Sequence, residues 1–197
     1  MDKLVIDIET KNTFAEVGGQ QNIDALEASF VGVYSYAQNK YFSFFEADFA
    51  ELGKMLQKSG LIIGFSSIRF DIPVKRKYFE LGNKFSTSIN FNIFALKQFD
   101  ILDEIETQLG FRISLDILAK QNLGIGKTHH GLEAIQFYKD KNWKELESYC
   151  LNDVKITKDL YDLAKARGYL LVPQKYSTEL IKAEFKIKDI FMPASLF

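Results

Sequence analysis

Three short segments carry the residues best placed to do chemistry. Val5-Ile6-Asp7-Ile8-Glu9-Thr10 holds two acids, Asp7 and Glu9. Gly64-Phe65-Ser66-Ser67-Ile68-Arg69-Phe70-Asp71 holds a third, and Tyr149-Cys150-Leu151-Asn152-Asp153 a tyrosine and a fourth acid. Carboxylates gathered at one point repel unless a cation lies among them. Donor sets made only of oxygen favour hard ions such as Mg²⁺ or Mn²⁺. Four acids around two such ions, with a tyrosine to position a water, are equipment for cleaving a phosphodiester.

The surrounding residues say how these groups are carried. Residues 3–9 read as a strand. Alternation puts Asp7 and Glu9 on one face, and Leu4, Ile6 and Ile8 on the other, where they suit a helix layer. Taken alone, such a pair is also what a strand end facing water looks like. Leu61-Ile62-Ile63-Gly64 is a wholly apolar run and reads as a buried parallel strand. A turn over 65–69 follows, and then a helix over 71–81 carrying Val74 and Tyr78 inward. Asp71 thus falls in the strand-end crevice where open α/β sheets take their ligands. An acid in a first helical turn also complements the helix dipole, so either role explains it. Apolar residues at three-to-four spacing predict a long helix over 143–167. Tyr149 and Asp153 are four apart and share a face. Asp153 interrupts the apolar stripe, so it either meets a cation or donors, or sits at the edge paired with Lys139, Lys155 or Lys158.

Elsewhere, Phe30–Tyr36 and Tyr41–Phe45 read as an antiparallel hairpin. Residues 49–58, 103–110, 115–121 and 131–139 read as helices, 169–172 as a strand and 183–191 as an edge strand. The segment 94–100 has no assignable strand, and 11–28 is a polar loop. No repeat or linker interrupts the chain, so one domain over 1–197 is expected, with a core at about 1–168 and an extension over 169–197 packed on it.

The three segments, in this order and spacing, resemble the motifs of 3′–5′ exonucleases of the ribonuclease-H-like superfamily, in the subgroup with Asp-Glu-Asp-Asp ligands and a tyrosine in the third motif (DEDDy). The sister subgroup has a histidine five residues before the last acid, where this chain has Ser148. Ser114-Leu115-Asp116-Ile117-Leu118-Ala119 and Gly131-Leu132-Glu133-Ala134 extend the likeness to a bacterial branch of predicted exonucleases, covering about residues 1–165. The resemblance implies an α/β fold with a mixed central sheet flanked by helices. It implies Asp7, Glu9, Asp71 and Asp153 as ligands of two Mg²⁺ or Mn²⁺ ions, with Tyr149 orienting the attacking water. The product would be a nucleoside 5′-monophosphate from the 3′ end of single-stranded DNA or RNA. A helicase is the partner class met beside members of that branch. Thr10, Phe65, Ser67, Arg69, Phe70 and Lys127 are the expected substrate contacts, with Phe14 a further stacking candidate. Many relatives carry an asparagine where this chain has Ser66-Ser67, which bears on a substrate or backbone contact rather than on the metal ligands.

Two other classes compete. One is a domain that holds nucleic acid or a helicase without cutting; the retained set of four acids opposes it. The other is a phosphodiesterase for small nucleotides. A formal charge of −1 denies the chain a strong field for long duplexes but allows a grip on a few nucleotides at one end. Arg69 and Lys127 lie nearest the predicted cleft. Lys75, Arg76, Lys77, Lys182, Lys186 and Lys188 read as solvated charges. The single cysteine, Cys150, excludes an internal disulfide and a Cys-rich zinc site and reads as a small core residue. No leader or membrane span is visible, so a reducing cytoplasm is expected. Gly124-Ile125-Gly126-Lys127-Thr128 imitates the end of a phosphate loop, but Gln121 stands where its first glycine belongs, and a helix precedes it. His129 and His130 are adjacent and cannot face one metal as a helical pair would.

Overall fold

A computed structural model describes residues 1–80, 90–126, 131–174 and 178–187. A five-stranded mixed sheet lies at its centre. Strands β1 (Asp2–Thr10), β2 (Ala28–Ser35) and β3 (Lys40–Phe45) form an antiparallel meander. Strands β4 (Ser59–Gly64) and β5 (Gln98–Asp100) extend it in parallel from the other edge of β1, giving the order β3-β2-β1-β4-β5. The helices are α1 (Phe49–Gln57), α2 (Asp71–Phe79), α3 (Ile101–Leu109), α4 (Leu115–Leu123), α5 (Gly131–Lys139) and α6 (Trp143–Arg167). A two-stranded antiparallel sheet, β6 (Tyr169–Pro173) and β7 (Leu180–Glu184), follows.

The alternation of β1 splits the core into two layers. Leu4, Ile6 and Ile8 face α1 and α2, where Phe49, Leu52, Leu56, Ile72, Val74 and Tyr78 cover them. Val5 faces the other way, with Tyr34 and Ile63, against α3, α4 and α6. Asp7 and Glu9 share the parity of Val5 and so point toward α6. A smaller cluster of Phe30, Ala134, Leu146, Tyr149 and Cys150 joins α5 to α6 beside the end of β1.

Several boundaries differ from the sequence reading. The segment 94–100 contains β5, which pairs with β4 from Ile62↔Gln98 to Gly64↔Asp100. Helix α3 starts at Ile101 rather than 103, because the Asp100 side chain caps it, accepting the N–H groups of Leu102 and Asp103. The last strand runs over Leu180–Glu184, earlier than the expected 183–191. Its pairing to β6, with Tyr169 opposite Glu184, ends there, and residues 188–191 lie outside the described residues. The polar loop over 11–28 contains a short 3₁₀ helix, Gln20–Ala25. Among the described residues, no helix is long and apolar enough to cross a membrane.

Candidate active site

Two junctions bring the acids together. The first is between β1 and α6. Asp7 stands opposite Gly32 on β2, and Glu9 opposite Phe30. A Cβ on Gly32 would lie 3.0 Å from Val154 Cγ2 and 3.2 Å from Cys150 Sγ, so a larger residue would press on α6 and the glycine favours this close approach to the sheet. That approach sets Tyr149, Cys150 and Asp153 beside Asp7 and Glu9. The Cys150 thiol reaches the Asp7 backbone oxygen at 3.5 Å and Asp7 Oδ2 at 3.6 Å.

The second junction is the turn after β4. Ser66 adopts a positive φ of 64°. The Asp100 carboxylate accepts the N–H groups of Ser66 at 2.8 Å and Ile68 at 3.0 Å, besides the two at the start of α3. One buried acid therefore ties the turn to α3 and fixes where α2 begins. Gly64 belongs to the same clamp, since a Cβ there would overlap the Ser67 side chain. Helix α2 then opens with Asp71, which is 3% exposed. The Asp71 carboxylate is held by the backbone N–H of Ile8, the residue between Asp7 and Glu9. Its Oδ1 is buried with no hydrogen-bond partner among the described residues.

Asp7, Glu9, Asp71, Tyr149 and Asp153 all line one cleft of about 360 Å³. Asp153 is 2% exposed, and the lysines weighed as its surface partners are engaged elsewhere: Lys139 with Glu16, Lys155 with Asp159, and Lys158 with Asp159 and Asp162. The protonation of the cleft follows from burial and crowding. Burial pushes the Asp71 carboxyl up to about 6, against the pull of the Lys75 ammonium. Burial, then the negative charges of Asp153, Glu9 and Asp7, hold the Tyr149 phenol well above its ordinary value. Tyr149 is therefore a neutral hydroxyl near pH 7. It offers hydrogen bonds and is no phenolate base. Burial likewise raises the Cys150 thiol, with Asp7, Glu9 and Asp153 adding to it.

Of the expected substrate contacts, Thr10, Phe65 and Phe70 line the cleft, as do Phe14 and Ser66. Phe14 and Phe70 meet edge to face at 5.9 Å. Ser67 and Arg69 are not among the lining residues. The Ser67 side chain is turned in behind Gly64, and Arg69 is committed to ion pairs with Asp103 at 3.6 Å and Glu106 at 3.0 Å. Lys127, Thr128, His129 and His130 lie outside the described residues. Leu132 and Ile135 of α5 add an apolar wall that periodicity alone did not assign to the site.

Two residues near the cleft escaped the sequence reading. Asp100 had a signal, since an acid followed by an apolar helical pattern is an N-cap signature. Lys75 had none, sitting in the run Lys75-Arg76-Lys77, and it was expected to be solvated. It is instead fully buried on α2, one turn after Asp71. Burial lowers its ammonium to about 8, opposed by the charges of Asp71 and Asp7.

The cleft fits a hard divalent cation. Ligand atoms of Asp7, Glu9 and Cys150 lie within 4.8 Å of one another, and the buried Asp71 Oδ1 lacks a donor. Cys150 is the poorer ligand of the group, because its raised thiol keeps its proton and points it at Asp7. The carboxylates remain as a donor set of oxygen atoms, the set that Mg²⁺ and Mn²⁺ favour.

Comparison with known proteins agrees with the fold. The chain aligns over 84% of its length with the family B DNA polymerase of the archaeon Pyrobaculum calidifontis, at 16% identity and a TM-score of 0.59. It aligns over the same share with E. coli exonuclease I in complex with a dT13 oligonucleotide, at 16% identity and a TM-score of 0.54. It spans 24% of that polymerase and 41% of that exonuclease. No curated protein sequence matches it. A family model for the RNase H superfamily matches residues 4–165, which is most of the chain. With its mixed sheet in the order β3-β2-β1-β4-β5 and helices on both faces, this chain belongs to the RNase H superfamily.

Proposed function

We propose that this chain is a metal-dependent 3′–5′ exonuclease of the DEDDy type, from the bacterial branch its motifs resemble, acting as one domain on single-stranded DNA or RNA. The observation that carries the reading is the convergence of Asp7, Glu9, Asp71, Asp153 and Tyr149 on one cleft from segments far apart in sequence. Asp7, Glu9 and Asp153 would hold one Mg²⁺ or Mn²⁺ ion, and Asp71, with Asp7, a second. When bound, the cations supply Lewis acidity toward the phosphoryl oxygens and balance charge on the leaving oxygen.

The protein's own groups do the rest. Ile8 N–H, from the residue between Asp7 and Glu9 in β1, anchors the Asp71 carboxylate to that strand. Tyr149, kept neutral, directs a hydrogen bond at the attacking water or at the phosphate it approaches. Phe14, Phe65, Phe70, Leu132 and Ile135 offer apolar surface to the terminal bases, a contact indifferent to sequence because every base has a π-face. The neighbour solved with a dT13 oligonucleotide supports a single-stranded ligand. The buried free thiol of Cys150 suits a reducing cytoplasm.

The test is a degradation series on 5′-labelled single-stranded DNA and RNA with Mg²⁺, Mn²⁺ or EDTA. A ladder that shortens from the 3′ end, needs metal, and is absent on a 3′-blocked or circular substrate is expected. Equal cutting of the blocked substrate, or no metal-dependent cutting of either nucleic acid, would sink the reading.

A further inference from the structure

Lys75 is the one cation among the described residues that is buried to zero exposure. Its Nζ makes no hydrogen bond among the described residues. A lysine left so is costly, because burial removes the water that solvates the ammonium and no described group accepts its hydrogen bonds in that water's place. What faces it is charge. The carboxylates whose fields act on it are Asp71, then Asp7. Asp71 is one turn earlier on the same helix, and Asp7 comes from β1. Asp71 Oδ1 also lacks a hydrogen bond, so cation and carboxylate act on each other through the interior without a direct hydrogen bond. The fold thus places a fully buried cation one turn from Asp71 and commits it to no hydrogen bond among the described residues.

We infer that the Lys75 ammonium is a built-in counter-cation of the acid cluster: it holds Asp71 and Asp7 together before metal arrives, and it weakens the cluster's affinity for divalent ions so that they stay exchangeable. Four carboxylates with no internal cation repel one another when the metals leave. A fixed positive charge beneath them relieves that repulsion and opposes each incoming ion through a medium less screening than water. Lys75 acts through the carboxylates and is a positioning residue. The inference rests on the proposed metal-binding role of the four acids, yet the two fail separately.

The decisive variant is Lys75→Met, which keeps an unbranched apolar side chain only one atom shorter and removes its charge. Mn²⁺ binding is measured at pH 7 by calorimetry, with no substrate present. The wild type should bind Mn²⁺, and Lys75→Met should bind it at least about tenfold more tightly. The gain in Tm on adding Mn²⁺ should be larger in the variant. Lys54→Met, which removes an exposed cation, should leave both values unchanged. If the wild type binds no Mn²⁺, the metal-site reading falls. If it binds and Lys75→Met binds equally or more weakly, the counter-cation falls alone. Should Lys75→Met fail to fold, the wild type decides. In ¹⁵N-lysine-labelled protein, the slowly exchanging Nζ signal of the buried lysine should shift as Mg²⁺ is added. An unmoved signal at saturating Mg²⁺ would overturn the inference.

Discussion

Two pockets of similar size treat charge in opposite ways. The pocket beyond the end of β1, about 390 Å³, is lined by Phe45, Tyr138 and Trp143 around Lys11. Lys11 donates to Glu27 at 3.2 Å and to Glu46 at 2.6 Å. These hydrogen bonds outweigh its partial burial together and hold its ammonium above the ordinary lysine value. In the proposed catalytic cleft, about 360 Å³, the acids face one another and the fully buried cation near it, Lys75, makes no hydrogen bond among the described residues. Paired charges of the first kind hold structure. Like charges gathered and buried, as in the second, give up stability and need a ligand to justify them.

The sharpest way to break this contrast is to remove the acid at the centre of the cleft. Asp7→Ala should abolish metal-dependent turnover while leaving the fold intact, or slightly more stable in EDTA because the repulsion with Glu9 is gone. Turnover near wild type in the purified variant would end the two-metal assignment. Tyr149→Phe keeps the ring and its packing and removes only the hydroxyl. The rate should fall about tenfold to a thousandfold, or roughly 1.4–4 kcal/mol. KM and Mn²⁺ affinity should stay near wild type, which separates the chemical step from grip.

A smaller effect tests whether burial sets the protonation of the cleft. Burial raises Asp71 to about 6 in the folded protein, against an ordinary 3.8. The folded state then binds this proton more tightly than the unfolded one. The contribution of Asp71 to stability therefore rises as pH falls through 6, and levels off below 3.8. In EDTA, the urea-unfolding free energy of the wild type should gain about 1 kcal/mol on Asp71→Asn between pH 7 and pH 5. A difference that does not move over that range would show Asp71 to be solvated. Similar in size but without effect on turnover, Lys11→Met should cost about 1 kcal/mol of stability by losing its two carboxylate partners. Turnover should stay within about twofold of wild type. A loss of turnover there with unchanged stability would mean the neighbouring pocket belongs to the site.

Much of the fold was legible because local pattern and tertiary demand coincide. Strand β1 alternates, β4 is a continuous apolar run, and α6 repeats at helical spacing, so each declares both its type and its buried face. Boundaries were missed where a side chain overrode the pattern. Asp100 starts α3 two residues early, and pairing to β6 places β7 at Leu180–Glu184.

The sequence by itself determined which candidate site residues stand side by side. Side chains two apart on a strand, or four apart on a helix, share a face whatever the rest of the chain does. Only the tertiary structure decided what surrounds them. Arg69 beside the second motif went to Asp103 and Glu106, and Ser67 was folded in behind Gly64. Lys75, from a run of three cations, became the most deeply buried charged residue among those described, while Arg76 and Lys77 beside it stayed at the surface. Burial depends on which elements pack over a face, and those come from distant parts of the chain. A basic run looks the same in sequence whether one of its members points at water or toward buried carboxylates such as Asp71 and Asp7.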